Sequence, residues 1–97
     1  MAVKIAIFAS GSGSNAENLI RYFEQSKHVD IVLILSNKPD AFVHERAKKL
    51  HIPSLSFTKN QFSESDYILN FLKEKKIDLI ILAGFLLKVP ANLIHAY

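Results

Sequence analysis

The feature that most restricts the fold of this chain is a regular exchange between two spacings of apolar residues. Four short runs, Val3–Ala9, Val29–Leu35, Ser54–Phe57 and Ile77–Ala83, alternate with longer stretches in which apolar residues recur at helical intervals. The first is short and rich in branched side chains, the pattern of a strand buried on both faces of a parallel sheet, and the second and fourth read as further strands. The third is a short strand by composition. Between the first two, Ala16, Leu19, Ile20 and Phe23 follow the i, i+3, i+4, i+7 stripe of an amphipathic helix. Val43, Ala47 and Leu50 share one face of a second helix, which should stop near His51, and Ile68, Phe71 and Leu72 share one face of a third. The order is βαβαβαβα. Strands joined by right-handed helical crossovers specify an α/β, doubly wound, Rossmann-like parallel sheet, here with four parallel strands and flanking helices. If the first three strands stack outward as 3-2-1, the fourth must return to the other side of the first. Ligands of such sheets bind at that reversal, so the loops 10–15 and 84–89 become neighbours at the mouth of a crevice.

Local signals mark where the helices begin and end. Ser36-Asn37-Lys38-Pro39-Asp40 is turn chemistry, and Asp40 is expected to cap the second helix. Ser63, with Asp66 three residues on, reads as a variant capping box for the third. Lys73, Lys75 and Lys76 suit its last turn, where cations complement the helix dipole, and Pro90 suits the first position of a fourth helix.

Composition removes several function classes. At 97 residues, with 49% hydrophobic and 22% charged, one core suffices. The absence of cysteine excludes disulfides, a thiolate zinc site and a cysteine nucleophile, and fits a reducing cytoplasm. The longest apolar run, Leu79–Leu87, is broken by Gly84 and falls far short of the roughly 20 residues of a membrane span. It is expected to be a buried strand. The apolar stretch after Lys4 is too short for a secretory signal. A net charge of +3 suits anionic small molecules, whereas basic and aromatic residues do not interleave as nucleic-acid binding requires. His28, His44, His51 and His95 show no metal-ligand spacing, and surface or packing roles are expected for them. Lys48-Lys49 and Lys73–Lys76 read as solvated helix ends.

The loop Gly11-Ser12-Gly13-Ser14-Asn15 joins a strand to a helix, so free N–H groups and the positive end of the helix dipole should face the crevice. Glycines permit close approach of an anion, and Ser14 and Asn15 add side-chain donors suited to a terminal phosphate. The simpler alternative is a tight turn with Ser14 or Asn15 capping the helix. Gly11, Gly13 and Ala16 also fit a G-x-G-x-x-A dinucleotide fingerprint, but the acid expected at the end of the second strand is replaced by Ser36-Asn37-Lys38. That leaves only an NADP variant using Lys38. A triphosphate P-loop is excluded because the loop has no lysine.

Four segments, Ala6–Asn15, Leu35–Lys38, Glu45-Arg46-Ala47 and Leu82–Pro90, occur in an order and spacing that closely resemble the phosphoribosylglycinamide formyltransferases of purine synthesis. Formyltetrahydrofolate deformylases share the fourth-strand segment but differ at the Gly-Ser loop, and methionyl-tRNA formyltransferases lack that loop. The resemblance implies transfer of a formyl group from 10-formyltetrahydrofolate to the amine of glycinamide ribonucleotide. It implies that Gly13, Ser14 and Asn15 hold the ribonucleotide phosphate and that Leu86, Leu87, Lys88 and Val89 line the folate pocket. It also implies that residues 1–97 are the N-terminal, nucleotide-binding part of a single formyltransferase domain whose C-terminal half is absent. The catalytic Asn and His of an Asn-x-His-Pro segment, and an Asp, are then expected beyond Tyr97, so no catalytic residue is assigned in this chain. Both partners are small molecules, with no nucleic acid, membrane or metal. An apolar face exposed at the fourth strand is expected to favour a homo-oligomer. The competing reading is a freestanding NADP- or nucleotide-binding module, and a deformylase is the third.

Overall fold

The computed structural model describes residues 2–63, 66–85, 89 and 91–97. Its elements are β1 (Val3–Phe8), α1 (Ser14–Phe23), β2 (Val29–Ser36), α2 (Val43–Lys49), β3 (Ser54–Ser56), α3 (Lys59–Ser63), α4 (Tyr67–Glu74), β4 (Leu79–Leu82) and α5 (Ala91–Ala96). The strands form one parallel sheet in the order β3-β2-β1-β4, the reversal expected of a doubly wound fold. No helix among the described residues is long and apolar enough to cross a membrane.

Alternation along β1 divides the interior in two. Ile5, Ile7 and Ala9 pack with Ala16 and Ile20 of α1 and Val43 and Ala47 of α2. On the other face, Ala6 and Phe8 pack with Phe57, Phe62, Ile68, Leu72 and Leu93. The register between β1 and β2 shifts after Ile5, so that Ala6 pairs with Leu33 and Val32 is the extra residue. Val32 and Leu33 consequently pack on the same side, whereas Ile31 and Ile34 face α1 and α2. A bulge reverses the parity of a strand in this way. Phe8 and Phe85 meet edge to face, with ring centroids 5.3 Å apart, which carries the second core up to the end of β4.

Several sequence expectations are corrected. Asp40 does not cap α2. Lys38 to Ala41 closes a turn through Ala41 N–H and Lys38 O, and the helix begins only at Val43, with no side-chain cap. Ser63 ends the short helix α3 rather than opening a new one. The reciprocal capping pair lies earlier, where Gln61 N–H donates to Thr58 Oγ1 at 3.1 Å and Thr58 N–H donates to Gln61 Oε1 at 2.8 Å. Asp66 precedes α4 without capping it and instead accepts from Asn92 Nδ2 at 3.0 Å.

Of the three terminal lysines, only Lys73 is in the last turn of α4. Lys76 takes a left-handed φ of 59°, with Lys76 N–H on Lys73 O and Ile77 N–H on Leu72 O. His51 closes α2 in the same way, at φ 61° with Ile52 N–H on Ala47 O. Both are Schellman endings without the usual glycine.

The fourth strand is shorter than expected and only partly buried. Among the described residues β4 pairs with β1 alone, and Leu79 and Leu82 are 44% and 51% exposed. Pro90 lies outside the described residues.

Candidate functional site

The loop after β1 leaves the sheet between the ends of its two neighbours. Ala9 N–H donates to Leu35 O beyond β1 on one side, and Ser10 N–H donates to Gly84 O on the other. Ser10 is buried, and its hydroxyl donates to Asn37 Oδ1 at 2.7 Å. That bond ties the loop to the turn after β2, at the position where a dinucleotide site would carry an acid. His44 fixes the same turn, with Nε2 3.1 Å from Lys38 O and Nδ1 2.9 Å from Ser54 Oγ. His44 thus makes exposed structural hydrogen bonds at this turn.

Beyond Ser10 the backbone turns three successive carbonyls away from the crevice. Gly11 O accepts from Val43 N–H at 3.3 Å, Ser12 O accepts from Arg46 Nε at 2.7 Å, and Gly13 O accepts from Glu17 N–H at 2.8 Å. Gly13 is the residue before α1, at φ 79° and ψ 15°, and a Cβ there would lie 2.5 Å from Val43 Cγ2 and 2.9 Å from Val43 Cα. Only glycine fits both the left-handed backbone and the contact with α2.

The amides of the first helical turn have no carbonyl four residues back to bond. Ser14 and Asn15 are the first two residues of α1, both exposed, and no side chain caps the helix. Neither Ser14 nor Asn15 therefore supplies the cap of the tight-turn alternative, although Gly13 does make a left-handed turn. A cleft of about 210 Å³ is lined by Gly11, Ser12, Gly13, Ser14, Asn15, Ala83 and Gly84. Through Asn15, Ala83 and Gly84 it shares its wall with an open groove of about 470 Å³ that runs along Leu19, Tyr22 and Leu82. The two loops expected to meet at the reversal of strand order do meet there. Gly84, at φ 69°, begins the second of them.

Gly13, Ser14 and Asn15 are thus gathered in one place. Leu86, Leu87 and Lys88 lie outside the described residues, and Val89 packs partly buried against the core that contains Phe8. The sequence reading includes Arg46 in a segment of the resemblance but gives no role to it or to Glu17. Arg46 Nη1 lies 2.8 Å from Glu17 Oε1, and Arg21 Nε lies 3.0 Å from Glu17 Oε2. Hydrogen bonds from Arg46 first, and then from Arg21, hold the Glu17 carboxyl below its usual range. The Glu17–Arg21 spacing of four was visible in the sequence as a helical pair. The long-range partner had no local signal.

Residues 3–97 match the family model for formyl transferase. The chain belongs to the formyl transferase family. The chain is 36% identical over 99 residues to the phosphoribosylglycinamide formyltransferase of Bacillus subtilis, covering 97% of this chain and 51% of that protein. Its fold superposes on the crystal structure of phosphoribosylglycinamide formyltransferase from Brucella melitensis with a TM-score of 0.91 at 32% identity, covering 100% of this chain and 53% of that one. The corresponding structure from Streptococcus pneumoniae gives 0.80 at 39% identity, covering 97% and 51%. The chain spans about half the length of these relatives.

Proposed function

We propose that this chain is the ribonucleotide-binding part of a phosphoribosylglycinamide formyltransferase acting in the cytoplasm in de novo purine synthesis. The observation that carries the reading is the cleft at the strand-order reversal, in a chain whose relatives bear that name across nearly its whole length. The terminal phosphate of glycinamide ribonucleotide sits on the amides of Gly13, Ser14 and Asn15, with the Ser14 hydroxyl and Asn15 amide as further donors. A phosphate suits this place because backbone donors and the dipole of a ten-residue helix converge on it. The nucleotide then runs toward the groove beside Leu82 and Gly84, which brings its amine to the end of β4.

The formyl donor is 10-formyltetrahydrofolate, held as cosubstrate by the segment Leu86, Leu87, Lys88 and Val89. The amine nitrogen attacks the formyl carbon, and a new C–N bond forms as the bond from that carbon to the folate nitrogen breaks. The released tetrahydrofolate nitrogen takes up a proton while the attacking nitrogen loses one. An oxyanion donor and a proton acceptor are needed for this, and none is assigned among residues 1–97. The phosphate cleft contributes by anchoring a non-reacting end of the substrate, so that binding energy orients the amine.

Titration calorimetry of the purified protein with glycinamide ribonucleotide tests the reading. Ser14→Ala should weaken binding by about 1.5–3 kcal/mol, the scale of a hydrogen bond to a charged group, and leave folate affinity unchanged. Equal loss for both ligands, or tight binding of NADP with none of the ribonucleotide, overturns it.

A further inference from the structure

We propose that Arg46 is a positioning residue for the phosphate cleft, a strap that holds the loop carbonyls away from the ligand so that the amides face it. The proposal rests on the ribonucleotide reading of the cleft and adds to it a residue that touches no substrate. Arg46 and Val43 stand three apart on α2 and so share a face. From that face Val43 supplies the N–H for Gly11 O and the side chain beneath Gly13, while Arg46 supplies Nε for Ser12 O.

The guanidinium is itself held on two further sides. Glu17 of α1 accepts from Nη1 at 2.8 Å, and the Phe42 ring lies 5.1 Å from Cζ. One planar fork thus joins the Ser12 carbonyl to α1 while stacking on a ring, a geometry that a lysine ammonium does not reproduce. The consequence is specific to Ser12. A peptide that turned its carbonyl into the cleft would set a partial negative charge against an incoming phosphate and withdraw the Gly13 amide from it. Arg46 Nη1 is held on Glu17 and Nε on Ser12 O, so these two donors are already occupied and are not offered to a phosphate. Its effect comes from fixing the direction of one peptide plane.

Two variants, Arg46→Met and Arg46→Lys, separate positioning from direct charge. Glycinamide ribonucleotide is titrated at several salt concentrations, well below the unfolding temperature of each variant. Both should weaken binding on the order of tenfold, the scale of losing an outer support of ligand-bearing groups, with the salt dependence as in the parent. Retention of affinity by Arg46→Lys together with a shallower salt dependence in Arg46→Met marks a direct charge contact and overturns the proposal, as does unchanged affinity in both.

A ligand-free measurement keeps the strap testable by itself. Backbone ¹⁵N order parameters of Ser12, Gly13 and Ser14 should fall in Arg46→Met while those of β1 stay high, and unchanged values overturn the proposal. If the parent protein binds no ribonucleotide but its loop loosens on Arg46→Met, the strap stands and the ligand assignment fails.

Discussion

Gly13→Ala is the substitution in which the loop geometry gives the sharpest number. The new methyl carbon would sit 2.5 Å from Val43 Cγ2, 2.7 Å from Val43 Cβ and 2.9 Å from Val43 Cα. A rotamer change at Val43 relieves only the first of these, because the other two atoms move only with α2. Forcing an L-residue into the left-handed region costs roughly 1–2 kcal/mol, and overpacking a core contact costs roughly 1–3 kcal/mol. The lower entropy of the unfolded alanine chain offsets about 0.4–1 kcal/mol of this cost. The net loss is about 3 kcal/mol. For a domain of this size each kcal/mol moves the melting temperature by roughly 4–8 °C, so a fall of roughly 12–24 °C is expected in a thermal melt followed by circular dichroism. Gly11→Ala is the matched control, since a Cβ there meets nothing within 4 Å and its φ is not positive. It should change stability by less than about 0.5 kcal/mol, as surface substitutions usually do. Gly13→Ala melting within 3 °C of the parent would show that α2 does not press on the loop, and the account of the cleft would fail with it.

Two further outcomes follow from the same structure. Lys76→Gly, at a Schellman ending with φ 59°, should raise stability by about 0.5–1 kcal/mol, because glycine relieves left-handed strain of roughly 1–2 kcal/mol and gives part of it back as unfolded-state entropy; urea denaturation checks it, and a loss of stability would refute it. Glu17 titrates below its ordinary value of 4.5, held there by Arg46 and then Arg21. A depressed carboxyl contributes stability that is fully present above its unfolded pKa and is lost as pH falls through the folded one. Stability should therefore drop below about pH 4.5 more steeply in the parent than in Glu17→Gln, as read from urea midpoints across that range, and parallel acid limbs would refute it.

The sheet was legible in the sequence because its signals are local and redundant. Branched runs and helical stripes alternate along the chain, and crossover handedness leaves few ways to join them, so once the first three strands stack outward the order β3-β2-β1-β4 follows. What escaped the sequence reading has a different physical origin in each case. The helix α3 spans only Lys59–Ser63, too short for periodicity to register, and its Thr58–Gln61 capping pair was passed over for Ser63 and Asp66. The bulge at Val32 was invisible because both residues at the parity change, Val32 and Leu33, are apolar and either could face either core. His51 and Lys76 close their helices in a conformation that composition assigns to glycine. The expected burial of the Leu79–Leu87 run failed at Leu79 and Leu82 because hydrophobicity states a need for cover without saying which element supplies it.

The cleft divides along the same line. Gly13, Ser14 and Asn15 could be read as an anion loop because the strand, the glycines and the helix start are contiguous. Arg46 could not, because the carbonyl it binds is 34 residues away and the pairing depends on where α2 lands on the sheet. A backbone that shows its N–H groups to a ligand must turn its carbonyls elsewhere, and a carbonyl left without a donor would forfeit much of what the ligand gains. In this chain the donors are Val43 N–H, Arg46 Nε and Glu17 N–H, two from α2 and one from α1. On the proposed reading, the side of the loop that faces the phosphate is thus only half of the site. The other half faces α2, and the glycine at position 13, the valine beneath it and the arginine one turn on are consequences of that single requirement.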